Sequence, residues 1–549
     1  MLIIRSIRPA DKIREWLRRP ESSRNQNEAR EKRQKDTCSW FLEGERFLEW
    51  QKKPGFLWVK GKVGCGKSIL CSSIIDKLPE PTPSLLGIAY FFFDGRDGQQ
   101  QLHNKLMRSL TYQLTGSCHG GIPIKLKELH EKCEGREPSN EELQLILRYI
   151  LDGFSAAYIV IDALDECTDR QKTLEWVEEL VIQNVGKRLH IVVTSRPEQD
   201  IEKVFRKLDQ LSVDVGGATA NQDIMRYLEE QMRKQFQKYD KKIRDKIKDD
   251  LSARAEGSFI WVASQVGELV KCSSEYEINK RLGGVPEGLD EIYNRILTKI
   301  DKNHLADVRT FLQWLAFSKR PMRIVEIAET ITMDFTSKGD PVFKLDKRYA
   351  NPRDVLVRCS SLVETGTVKL SHLSVKEYLL SERIGKDFSI SEKAAHMKIL
   401  EISVAYLLRF NKFMPLTKAQ LDSSPLALYA AKHWVDHANF EGIDPAPLKL
   451  ILQLFVPKSA AFTNWIQIHD IDETYLKFLR DEPQVHLPLY YASLAGLQQV
   501  ATHLLENGAD VNAQGGLYGN ALQVASSKGH EAIVKLLIEK GADVNAQGG

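Results

Sequence analysis

Eight consecutive residues, Gly61-Lys62-Val63-Gly64-Cys65-Gly66-Lys67-Ser68, have the types and spacing that can hold a polyphosphate. The glycines let the backbone curl until successive N–H groups and the start of a following helix face one anion. Lys67 then reaches the β- and γ-phosphates, and the Ser68 hydroxyl is placed to ligate Mg²⁺. The candidate nucleotide contacts are Gly61, Gly64, Cys65, Gly66, Lys67, Ser68 and Ile69. Both flanks suit the motif. Phe56-Leu57-Trp58-Val59 reads as a short buried strand, and Ile69, Leu70, Ile74, Ile75 and Leu78 recur at helical spacing. A glycine-rich turn with an incidental lysine has no reason to carry both.

Hydrolysis needs carboxylates as well. Tyr158-Ile159-Val160-Ile161-Asp162-Ala163-Leu164-Asp165-Glu166 is an apolar run ending in acids, the pattern of a central parallel strand. Asp162 at the strand end is the candidate for the Mg²⁺ shell, and Asp165 or Glu166 for orienting the attacking water. A further apolar strand, His190-Ile191-Val192-Val193-Thr194, runs into Ser195-Arg196-Pro197. An arginine at that edge of an α/β sheet can sense a γ-phosphate. Cys65 inside the loop could be sensitive to oxidation, although a tolerated loop position accounts for it more simply.

These residues need a sheet to position them. Strands and helices alternate over 37–220, which predicts a mainly parallel α/β sheet. Ser139-Asn140-Glu141-Glu142 reads as a capping box opening a helix with Leu143, Ile146, Leu147, Ile150 and Leu151 on one face. Residues 221–300 read as purely helical. In 301–385, Leu362-Val363-Glu364 turning through Thr365-Gly366-Thr367 into Val368-Lys369-Leu370 reads as the wing of a winged helix, and Ser374 to Glu377 as a cap for the helix behind it. Residues 386–485 read as helices. His433 and His437 share a helix face as zinc ligands can, but no third ligand is evident and Asp436 stands where a metalloprotease has its glutamate. Residues 1–36 read as a polar linker with one short amphipathic helix around Ile13, Trp16 and Leu17.

The C-terminus, 486–549, repeats with a period of 33. Leu489, Ala492, Gly496, Leu504 and Gly508 return as Leu522, Ala525, Gly529, Leu537 and Gly541, and Gly508 to Gly516 returns verbatim as Gly541 to Gly549. This is the ankyrin unit, a protein-binding repeat. Two repeats do not bury a continuous core alone. Either the preceding helices cap them or the array is truncated, and truncation is the favoured expectation.

The order GKVGCGKS, IDALDEC, VTSRP resembles the NACHT branch of the signal-transducing STAND NTPases, and the chain resembles the fungal NACHT–ankyrin proteins over roughly 35–549. Thr37-Cys38-Ser39-Trp40-Phe41 resembles their lead-in segment, Ala255-Glu256-Gly257-Ser258-Phe259-Ile260-Trp261 their helical domain, and Val285-Pro286-Glu287-Gly288-Leu289-Asp290-Glu291-Ile292-Tyr293 the link to their winged helix. The resemblance implies a switch that rests with diphosphate bound. His372 of Leu370-Ser371-His372-Leu373 matches the histidine that touches the β-phosphate. It also implies homo-oligomerisation with triphosphate, slow hydrolysis and a cytoplasmic site of action. One departure is visible: Phe259 stands where many STAND proteins have a base-contacting proline. The base, adenine or guanine, is therefore open.

The bulk properties narrow the alternatives. Residues number 549, too many for one core, with 42% hydrophobic and 28% charged, as in ordinary globular domains. Lys and Arg number 77 against 74 Asp and Glu, so charge gives no case for nucleic acid. No apolar run is long enough to span a membrane. Eight cysteines without C-x-x-C spacing read as reduced thiols. The expectation is an NTP-dependent signalling switch with a protein partner on its ankyrin surface; the alternative is an ankyrin scaffold with a structural nucleotide.

Overall fold

The computed structural model describes residues 9–17, 22–34, 37–83, 85–95, 102–118, 121–133, 136–183, 188–208, 210–215, 218–335, 340–359, 362–364, 368–385, 387–412, 416–472 and 486–546. The chain forms two compact units, residues 1–95 with 99–291 and residues 96–98 with 292–549.

The first unit is built on five parallel strands: β1 Gly55–Lys60, β2 Leu86–Phe92, β3 Ala156–Asp162, β4 Leu189–Ser195 and β5 Gln210–Asp214, in the order β2-β3-β4-β1-β5. Side chains alternate across a strand, so each one feeds two cores. Phe56, Trp58, Ile159, Ile161, Ile191 and Val193 pack beneath helices Leu102–Thr115, Asn140–Asp152 and Arg170–Gln183. Leu57, Val59, Tyr158, Val160 and Val192 pack on the other face against Leu70, Cys71 and Ile74 of helix Lys67–Lys77. The capping box at Ser139 is formed: its hydroxyl accepts from Glu142 N, and the Glu142 carboxylate accepts from Ser139 N.

Strand β4 lies between β1 and β3, with Val193 level with Trp58 on one side and Ile161 on the other. This register brings the C-terminal ends of all three strands to one edge. After the sheet the unit continues in helices Ala218–Gln235, Lys241–Arg254, Phe259–Val270 and Glu275–Gly283.

The N-terminal region differs from the expected linker. Besides helix Pro9–Trp16, whose Ile13 is buried with Leu17, Ser22–Lys32 forms a helix against Lys67–Lys77. Its ties are polar: Arg30 and Arg33 approach Asp76 at 3.4 and 3.9 Å. Ala29 is its buried residue, so hydrophobic periodicity had nothing to show.

The second unit holds a winged helix and then stacked helices. Leu305–Phe317, Ile324–Glu329, Asp354–Cys359 and Leu373–Leu380 surround two small antiparallel pairs, Met333–Asp334 with Val342–Phe343 and Val363–Glu364 with Lys369–Leu370. The wing's turn, 365–367, lies outside the described residues. The cap of Leu373–Leu380 is His372 and not Ser374: its Nδ1 accepts from Ser374 N at 3.1 Å. An imidazole nitrogen has done what the sequence reading assigned to a hydroxyl.

The histidine pair of helix Ala427–Ala438 is packing. His437 Nδ1 lies 2.8 Å from His396 Nδ1, and His437 Nε2 lies 3.1 Å from the Tyr429 hydroxyl. That hydroxyl accepts from Lys319 N, and among the described residues its acceptor is His437 Nε2. The tautomer follows: His437 carries its proton on Nδ1 and donates it to His396. His396 stacks on Phe440 at 4.1 Å. Among the described residues no group of three or more His, Cys, Asp or Glu could hold a metal, and no helix is long and apolar enough to cross a membrane.

The repeats form paired helices, Pro488–Leu494 with Gln498–Glu506 and Ala521–Lys528 with Glu531–Glu539. The repeated glycines share their geometry: Gly496 and Gly529 both have φ +74°, and Gly508 and Gly541 have +83° and +91°. Helix Ala460–Ile468 covers the first repeat, with Phe462 and Trp465 against Tyr491. Tyr490 donates to Asp472, which also accepts from Leu517 N. Residues 547–549, the end of the verbatim repeat, lie outside the described residues.

Candidate nucleotide-binding site

The loop between β1 and helix Lys67–Lys77 has the geometry its glycines permit. Gly64 and Gly66 sit at φ +77° and +90°, where a side chain is strained, and Gly66 is the helix N-cap. Gly61 is needed for space: a Cβ there would come within 2.7 Å of Cys65 Sγ and Val215 Cγ2. Lys67 Nζ donates to the carbonyls of Gly61 (2.8 Å) and Lys62 (2.9 Å), so the ammonium lies across the mouth of the loop. Ser68 and Ile69 continue the first turn of the helix.

Asp162 is brought to this loop from β3. Its carboxyl is buried, with Ser68 and Cys71 nearby, and Thr194 Oγ1 donates to it at 2.5 Å. Burial pushes its pKa up; the Ser68 and Thr194 hydroxyls, the Lys67 charge and the Cys71 thiol pull the other way. The Thr194 hydroxyl also accepts from Ala163 N at 3.0 Å. Ala163 has φ +56°, a backbone region that only a small residue tolerates cheaply. The sequence reading passed over Thr194; its place directly before Ser195-Arg196 at a strand end was the available signal.

Arg196 pairs with Asp165. Its Nε donates to Asp165 Oδ2 at 2.6 Å and its backbone N to Oδ1 at 2.9 Å, so both carboxylate oxygens are engaged. Glu166 is held separately, accepting from Gly95 N at 2.8 Å. Cys65 is buried, and desolvation raises its thiol pKa against the pull of Lys67, which disfavours a reactive thiolate. His372 lies in the second unit, where its Nδ1 also contacts Ser374 Oγ at 2.9 Å.

Two sets of contacts beyond the motifs join the helical segment to the rest of the unit, one of them at this site. Phe259 N donates to the Gly64 carbonyl at 2.8 Å, and the Phe259 ring lies 3.7 Å from where a Gly66 Cβ would stand. The buried Asp223 carboxylate accepts from Cys38 N and from Trp40 Nε1, each at 2.9 Å, tying the lead-in segment to helix Ala218–Gln235. Neither is readable from spacing, because both span long stretches of chain.

A nucleotide with Mg²⁺ fits this chemistry. A buried carboxylate, a hydroxyl and an ammonium converge at a loop whose backbone two left-handed glycines turn.

Comparison with known proteins identifies the family. Residues 36–196 match the family described as Nephrocystin 3, N-terminal; 293–391 match the winged helix domain of GPI inositol-deacylase; and 466–548 match ankyrin repeats in three copies. The azaphilone pigments biosynthesis cluster protein L of Monascus ruber is 30% identical over 395 residues, covering 66% of this chain and 80% of that protein. The vegetative incompatibility protein HET-E-1 of Podospora anserina is 24% identical over 438 residues, covering 76% of this chain but only 31% of its own length. The solved Walker-type ATPase of Pyrococcus abyssi aligns at 11% identity over 63% of this chain and 97% of its own, with a TM-score of 0.32, too low to add to the fold argument. Identity at this level over most of the Monascus relative establishes the family: the chain belongs to the fungal NACHT–ankyrin type of STAND NTPase.

Proposed function

We propose that this protein is a signalling switch operated by a nucleoside triphosphate, with protein recognition on its ankyrin surface. The observation that carries this reading is the buried Asp162 carboxylate, held by Thr194 and close to Ser68 and the Lys67 ammonium. Burying a carboxylate is costly unless donors and cations compensate it, and a bound Mg²⁺ would add to what Thr194 and Lys67 supply.

In this reading the glycine-loop amides and Lys67 bind the β- and γ-phosphates, while Ser68 and Asp162 hold Mg²⁺. Mg²⁺ would neutralise phosphate charge. Glu166 orients the attacking water, since Arg196 occupies both oxygens of Asp165. Asp165 then positions Arg196. His372 closes over a diphosphate in the resting state, and exchange for triphosphate favours an open form that self-associates. Hydrolysis is slow, because its product is the resting state. The helical segment is suited to follow the loop through the Phe259–Gly64 bond.

The test is the nucleotide that co-purifies with the wild-type chain, compared with Lys67→Ala and His372→Ala. Diphosphate retained by wild type, absent from Lys67→Ala and loosened in His372→Ala is the expected result, and it would also name the base. An empty wild-type site with rapid turnover of added ATP or GTP would replace the switch with an ordinary NTPase.

A further inference from the structure

A cleft of about 460 Å³ opens beside the phosphate loop, within the first unit. Lys62 and Val63 form one wall, Arg196 and Pro197 a second, and Arg254, Ser258 and Trp261 of the helical segment a third. Lys67 Nζ is 2.9 Å from the Lys62 carbonyl, and this ammonium is the group a phosphate loop directs at the β- and γ-phosphates. The cleft therefore borders the terminal-phosphate side of the loop.

Three cations line it: Arg196 is committed to a carboxylate, Lys62 is exposed and loosely paired, and Arg254 is the third. Lys62 lies 3.9 Å from the Glu256 carboxylate. Arg196 is held by Asp165 at 2.6 Å and lies 3.6 Å from Glu198. Arg254 differs. Its partner among the described residues is the Leu282 carbonyl, 3.2 Å from one terminal nitrogen. A guanidinium has five N–H donors in a fixed fork, so most of this one is unused. Glu198, Glu256 and Glu287 also line the cleft, so its walls roughly balance in charge and an added anion needs an uncommitted cation.

Arg254 is also held in register with the loop. It ends helix Lys241–Arg254, and the chain then turns through Glu256 and Gly257 at φ +44° and +80°. That turn delivers Phe259 N to the Gly64 carbonyl. Five residues thus separate the free guanidinium from a hydrogen bond to the loop itself.

We propose that Arg254 recognises the terminal phosphate and is the residue by which this site tells triphosphate from diphosphate. The assignment rests on the nucleotide reading above. The Leu282 carbonyl fixes the guanidinium's orientation and leaves the remaining donors for phosphate oxygens, a charge-assisted pairing suited to arginine. A diphosphate ends one phosphate short of the cleft and does not engage it.

The experiment measures affinity for the β,γ-imido triphosphates and the diphosphates of adenosine and guanosine, using the full chain. Arg254→Ala should weaken triphosphate binding about tenfold with diphosphate binding unchanged, and Arg254→Lys should restore part of the loss. Equal weakening of both ligands would make Arg254 a structural anchor through Leu282 and overturn the assignment. Unchanged affinity for both would overturn it too. The parent reading fails differently: wild type binding neither ligand, or Lys67→Ala binding both normally, would remove the nucleotide site and this inference with it. Thermal unfolding of both Arg254 variants separates a folding defect from a binding one.

Discussion

Two buried polar clusters in this chain look alike in composition and behave oppositely. Around Asp162, four groups (Ser68, Thr194, Lys67 and Cys71) favour the charged carboxylate that burial disfavours. Around His396 and His437, burial and the Lys319 charge both push the imidazoles toward neutrality. In the first cluster the neighbours work against burial, although burial is the larger effect and the net shift is upward. The second discharges its groups and uses them as packing, with one shared proton between two Nδ1 atoms. A buried titratable group thus marks a site only when its neighbours support its charged form.

That contrast can be broken at either end. The largest effect is expected at the histidines. His437→Ala leaves the Tyr429 hydroxyl and His396 without their partner and opens a cavity, and it should cost about 3 kcal/mol in urea unfolding. Nucleotide affinity should stay near wild type. Loss of binding at full stability would reverse the roles assigned to the two clusters.

Lys67→Ala should do the reverse, lowering nucleotide affinity by about a hundredfold or more, on the order of 2.7 kcal/mol, in calorimetric titration. Its melting temperature without nucleotide should barely move.

Ala163→Val puts a β-branched residue at φ +56° and should destabilise the fold by about 1–2 kcal/mol. A neutral outcome would show that the β3 end relaxes, and that its backbone does not aim Asp162.

Asp162→Asn removes a buried charge but keeps an acceptor for Thr194, so stability should change by less than about 1 kcal/mol. Turnover measured by phosphate release should nevertheless fall. Wild-type turnover in this variant would take Asp162 out of the reaction.

A last effect is a pH slope. His396 is pushed down to about 4 by burial, then by Lys319 and Lys376, with Glu392 and Asp436 the acids acting nearby on those lysines and on the neighbouring histidine His469. The unfolded chain binds a proton there near pH 6.5 and the folded chain does not. Stability is therefore full above about 6.5 and declines as pH falls toward 4. Denaturation midpoints at pH 7 and 5 should show that loss, and His396→Gln should flatten it.

The phosphate loop, the β3 acids and the 33-residue period were legible because each is local: a backbone conformation or strand end written within one short stretch. The helix Ser22–Lys32 was not, because polar bonds to Asp76 hold it and leave no apolar stripe. The cap of Leu373–Leu380 was misassigned because hydroxyls are the usual caps, and here the His372 ring reaches the same amide. The different partners of Asp165 and Glu166 also needed the fold. Adjacent residues on one short turn differ in function only through what each meets, here Arg196 for one and Gly95 N for the other.

The sequence by itself determined that a polyphosphate loop, a carboxylate-ended strand and ankyrin repeats exist in this chain, since each follows from the covalent order of glycines, apolar residues and acids. Tertiary structure alone decided which of those acids is buried beside the loop, which is spent on Arg196, and which helical residues reach the loop. Strand β4 enters between β1 and β3, and only that insertion sets Thr194 against Asp162. Electrostatic environment and hydrogen-bond partnership are properties of proximity, and proximity across a hundred residues is written in the packing and not in the spacing.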